Sequence, residues 1–127
     1  MQYGYKKILT ISFQEAIIAT KEAMAKEGFG VLTEIDVKAT LQKKLGVEYD
    51  NYIILGFCNP PFAYEALQSE KEIGLLLPCN VILFKEEGKV IVSAILPSVA
   101  MNMVDNPNLG ELAKAVEEKL KRVVESI

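Results

Sequence analysis

Residues 81–96, VILFKEEGKVIVSAIL, restrict the possible folds of this chain more than any other stretch. Two apolar runs flank Glu87-Gly88, a pair suited to a two-residue hairpin loop. Such a loop sets Glu86 opposite Lys89, and further along sets Phe84 opposite Ile91 and Leu83 opposite Val92. Side chains alternate between the faces of a strand, so these two pairs lie on opposite faces and both faces of the hairpin are apolar. Helices of the same chain can cover one face. The other then has to meet a second layer or another copy of the chain.

Composition points the same way. The chain has 127 residues, in the range of one domain, and a single unit spanning residues 1–127 is expected. Half of the residues are apolar and only 24% are charged, a surplus of apolar surface that a homodimer interface explains most simply. No uncharged apolar run approaches the ~20 residues of a bilayer span, and the first residues lack the layout of a signal peptide, so a cytoplasmic protein with no membrane partner is expected. The net charge is −3 and the lysines are interspersed with acids, leaving no basic stripe for a phosphate backbone; no nucleic-acid partner is expected. Histidine is absent. Its absence excludes Ser-His and Cys-His nucleophile systems, together with the favoured ligand of zinc and iron sites.

Along the chain, residues 3–11 read as a first strand. Ser12 and Glu15 form a capping box, followed by an apolar stripe of Phe13, Ala16, Ile17, Thr20, Ala23 and Met24, with Gly28 and Phe29 as a C-terminal stop. Residues 30–35 form a second strand. Asp36 then caps a helix whose apolar positions are Val37, Leu41 and Leu45, closed by Gly46. The apolar run 51–57 suggests a central strand covered on both faces. Pro61 opens the next helix, because a proline disfavours helical geometry in the residue before it, and in that register the Asn59 side chain is free for another task. After the hairpin, Pro97 ends the last strand, residues 98–104 make a short helical turn, and Asn106-Pro107 start a final helix with a stripe of Leu109, Leu112, Val116, Leu120, Val123 and Ile127.

The candidate chemistry lies in residues 58–80, where the same Cys-Asn pair occurs at both ends. If the strand ending at Phe57 and the one beginning at Val81 are antiparallel neighbours, Cys58, Asn59, Cys79 and Asn80 gather at one end of the sheet. The cysteines read either as small buried apolar residues or as a reactive pair, for which Cys58 has a helix N-terminus at hand. The asparagines read either as caps and turn residues or as amide contacts to a small polar ligand. Glu34, Asp36 and Lys38 form a second polar cluster, either a solvated helix start or carboxylates lining the same pocket. No cofactor can be named from these residues.

The segments FGVLTEIDVKATLQKKLG, ILGFCNPPFAYEAL, IGLLLPCNVIL and VDNP occur in that order. Together they resemble the bacterial and archaeal family known as domain of unknown function 302, over about residues 29–107. The resemblance implies an α+β fold similar to the TATA-binding-protein-like class, with a curved, mostly antiparallel five-stranded sheet, helices on one face, and a homodimer. It carries over the positions Glu34, Asp36, Lys38, Cys58, Asn59, Pro60, Pro78, Cys79, Asn80, Asp105 and Asn106, and no reaction. The leading expectation is a non-catalytic domain that binds or senses a small molecule and dimerises through the uncovered sheet face. The alternatives are a thiol-dependent enzyme or redox protein using Cys58 and Cys79, and a metal-binding domain.

Overall fold

The computed structural model describes residues 2–127. The strands are β1 (Gly4–Leu9), β2 (Gly30–Asp36), β3 (Tyr52–Cys58), β4 (Cys79–Glu86) and β5 (Lys89–Ile95). The helices are α1 (Phe13–Lys26), α2 (Val37–Leu45), α3 (Pro60–Ser69), α4 (Pro97–Ala100) and α5 (Asn108–Ser126), with 3-10 turns at Lys71–Leu76 and Met101–Met103. The strands form one open antiparallel sheet in the order β1-β5-β4-β3-β2. Helices α1 and α5 pack on one of its faces. This is the α+β arrangement that the resemblance implies.

The hairpin register is the one read from the loop. Glu86 pairs with Lys89, Phe84 with Ile91 and Leu83 with Val92. Glu87 and Gly88 both take positive φ, 53° and 76°, the geometry whose twist matches that of the flanking strands. Pleat parity then separates the faces. On the helix side, Leu55, Phe57, Val81, Leu83, Val90, Val92 and Ala94 are buried against Ala16 and Met24 of α1 and Val116, Leu120, Val123 and Val124 of α5. The other side carries the cross-strand rows Ile8-Ile91-Phe84-Tyr52, over four strands, and Lys6-Ser93-Ile82-Ile54-Ile35, over all five. No helix covers these rows, and Ile8 and Ile35 remain 57% and 47% exposed.

Helix α1 starts and stops through local bonds. Ser12 Oγ accepts from the Glu15 amide at 3.1 Å and the Ser12 amide donates to Glu15 Oε1 at 3.2 Å. At the other end Gly28, at φ 88°, lets the Phe29 amide donate to Met24 O and its own amide to Ala25 O, which satisfies two terminal carbonyls. Thr20 is fully buried in the stripe because its hydroxyl donates back to Ala16 O at 2.8 Å.

Four expectations change. Strand β1 is shorter than residues 3–11. Strand β3 lies one place in from the edge, with a single face covered; β4 is the central strand. Helix α2 has no buried residue, although Asp36 Oδ1 caps it by accepting from the Ala39 amide at 2.9 Å and Gly46 closes it at φ 67°. Its stripe is only partly covered: Val37 and Leu41 are half-buried, and Leu45 is exposed. Finally, α3 begins at Pro60, since Asn59 O already accepts from the Ala63 amide at 2.9 Å and so makes Pro60 the first helical residue.

Candidate functional site

Strands β3 and β4 are antiparallel neighbours, and the register pairs Phe57 with Cys79 and Gly56 with Asn80. Both Cys-Asn pairs therefore reach the same end of the sheet. They do not form one polar cluster there, because successive residues point to opposite faces. Cys79 shares the helix face with Phe57. Asn80 stands on the open face beside Gly56 and is exposed.

The helix-side half of this rim holds a partly open apolar cavity of about 340 Å³, with exposed Leu32 and Leu67 at its border. Its floor is Phe29, Phe57 and Cys79, its walls come from α3 and α5, and Leu77, Pro97 and Met101 border the remainder. Space remains because the facing helices present alanines, Ala63 and Ala66 on α3 and Ala113 on α5. Cys58 also borders it. None of the lining residues is charged.

Asn59 is the one amide in the wall, and it is 8% exposed. Its Nδ2 donates to Glu27 O at 3.2 Å, tying the end of α1 to the β3-α3 junction. This hydrogen bond fixes the orientation of the amide, since the reverse would set two oxygens together. Gly28 leaves room for it: a Cβ there would stand 3.1 Å from Nδ2. Helix α5 starts at Asn108, one residue later than the expected Pro107, so Asn106 precedes the cap; its Nδ2 donates to Ser69 O at 2.8 Å while Oδ1 accepts from the Asn108 amide at 3.1 Å.

Cys58 and Cys79 are both free thiols. Burial pushes the Cys79 thiol up to about 11, with a smaller contribution from Cys58, so at neutral pH Cys79 is protonated and poorly nucleophilic. Glu34, Asp36 and Lys38 lie elsewhere. Glu34 forms an ion pair with Lys21 at 2.9 Å, Asp36 caps α2, and Lys38 with Asp36 borders a shallow surface depression near Tyr49. Among the described residues no group of three or more Cys, Asp or Glu gathers closely enough to hold a metal ion, and no helix is long and apolar enough to cross a membrane.

The cavity walls that sequence reasoning missed are Ala63, Ala66, Ala113, Phe29 and Met101. Alanines three apart on α3 are a weak signal, because small residues on a helix face read as close packing unless the opposing surface is known.

Sheet, helices and rim together define a small α+β domain with an apolar cavity between the helix layer and one end of an open antiparallel sheet. The chain belongs to the family described as "Domain of unknown function DUF302", whose profile matches residues 5–127. A solved structure of an uncharacterized conserved DUF302 protein from Bacillus stearothermophilus is similar at 28% identity, with a TM-score of 0.93 over 98% of each chain. No curated protein matches the chain.

Proposed function

We propose that this protein is a non-catalytic domain that binds or senses a small molecule in the cavity between α3, α5 and the end of β3 and β4, and that it works as a homodimer. The observation that carries the binding role is the cavity itself. Its volume of about 340 Å³ falls within the range of natural ligand pockets, and its lining is almost wholly apolar with one amide, Asn59. A non-catalytic role is supported by the absence of histidine, the raised Cys79 thiol and the lack of charged groups in the wall. The test is a thermal-shift and ligand-observed NMR screen against metabolites, repeated with Ala66→Leu and Ala113→Leu. Binding that both variants abolish supports the site; a screen in which no compound binds the parent protein counts against it.

The dimer reading rests on the uncovered sheet face, and the proposed occupant is a second copy of the same face. Within its two rows Lys6 is the single charge, so two copies can meet across a twofold axis without a cluster of like charges. Five strands at ~4.8 Å and about six residues each at ~3.4 Å give a footprint of roughly 500 Å². The apolar surface extends further through Tyr49, whose ring stands 6.3 Å from Tyr52, which in turn stacks on Phe84 at 5.5 Å. Side-chain relief and this extension bring the area toward the ~800 Å² per partner of a stable interface. Light scattering of the parent protein and of Ile82→Lys provides the check. A monomeric parent sinks the dimer and leaves the cavity reading intact.

A further inference from the structure

Building on the cavity reading, we infer that the ligand is an uncharged, mainly hydrocarbon molecule carrying one hydroxyl or N–H donor, which it presents to Asn59 Oδ1. Asn59 is more than nine-tenths buried, and its Nδ2 is engaged by Glu27 O. Its Oδ1 has no hydrogen-bond partner among the described residues. Every fully buried side-chain oxygen or nitrogen there is partnered, so Oδ1 is not fully buried, and Asn59 is a lining residue of the cavity. The cavity thus offers a fixed acceptor. A ligand that covered Oδ1 without a donor would strip it of solvent and leave it unpaired, which is costly, whereas a donor on the ligand avoids that cost.

Anions are disfavoured by the chain's own design. A helix N-terminus at a cavity normally supplies free amides to a carboxylate or phosphate. At α3 the first two positions are Pro60 and Pro61, which have no N–H, and the Ala63 amide is bonded to Asn59 O. At most the Phe62 amide is left. No lysine or arginine lines the wall, and the cation near Phe62, Lys119, lies 3.6 Å from Glu27 Oε1. Size follows from the volume: a cavity of ~150 Å³ holds a benzene, so 340 Å³ suits about a dozen non-hydrogen atoms.

The test uses three probes of nearly equal shape, 1-naphthol, 1-methoxynaphthalene and 1-naphthoate, titrated against the full chain at neutral pH by calorimetry or NMR. The expected order is naphthol tightest, the methyl ether about three- to tenfold weaker, as the loss of one hydrogen bond requires, and naphthoate at least tenfold weaker than naphthol. Ala66→Leu and Ala113→Leu should each abolish naphthol binding; because the comparison among ligands is made on the parent protein, it survives misfolding of either variant. Equal affinity for naphthol and its ether, or tighter binding of naphthoate, overturns the donor assignment and leaves a small-molecule cavity standing. If none of the three binds, both the assignment and the cavity reading fall.

Discussion

Replacing Ala66 with leucine should stabilise the protein, the reverse of what a larger side chain does in a filled core. Ala66 is 3% exposed, sits on α3 and lines the cavity, so the added atoms enter space that is already open. Three further carbons buried at about 0.8 kcal/mol each contribute about 2.4 kcal/mol. Holding the leucine in one rotamer costs about 0.5 to 1 kcal/mol, and its slightly poorer helix propensity costs a few tenths more. The net expectation is about 1 to 1.5 kcal/mol of added stability, a rise in Tm of about 3 to 8 °C for a domain of this size. Urea unfolding followed by circular dichroism measures it, with an unchanged denaturant slope showing that the folded state is the same. The opposite sign refutes the reasoning. If the space were closed in solution, leucine would overpack the α3-α5 contact and destabilise the protein by about 1 to 3 kcal/mol.

Other perturbations test other parts of the rim. The Cys79 thiol titrates at about 11 in the fold against an ordinary value of 9.0, so the unfolded chain ionises first and its contribution to stability, complete below pH 9, is lost as pH rises toward 11. Two pH units correspond to about 2 to 3 kcal/mol; a parent protein whose stability between pH 9 and 11 parallels that of Cys79→Ala would contradict this. Asn59→Ala removes the donor to Glu27 O and should cost about 1 to 2 kcal/mol in chemical denaturation; no loss would show that the α1 end is held by other contacts. Gly56→Ala should also destabilise, because a Cβ would collide with Thr33 Oγ1 and stand 2.7 Å from Pro78 Cγ, and adding Thr33→Ala should recover part of the loss. Absence of any recovery in the double variant would remove Thr33 as the cause.

Local interactions were legible without a structure, and the reason is their range. The capping box of Ser12 and Glu15, the Gly28 stop and the α1 and α5 stripes involve residues three to five apart, whose geometry the chain dictates by itself. The Glu87-Gly88 loop set the hairpin register in the same way. From sequence, adjacency of the strand ending at Phe57 and the one starting at Val81 is a condition, and the sheet order meets it. Where Asn59 donates could not be posed, since Glu27 O belongs to the end of another helix and is brought there only by packing.

The Cys-Asn repeat shows where sequence and tertiary structure divide. Sequence determined that two identical pairs stand at strand boundaries and that no histidine accompanies them. Tertiary structure decided that pleat parity sends Cys79 to the helix layer and Asn80 to the open face, and that Glu34, Asp36 and Lys38 lie away from both. It also decided that alanines of α3 and α5 face each other. Cavities arise from the mismatch of surfaces contributed by distant segments. A sequence records each surface separately, and the space between them exists only once the segments pack.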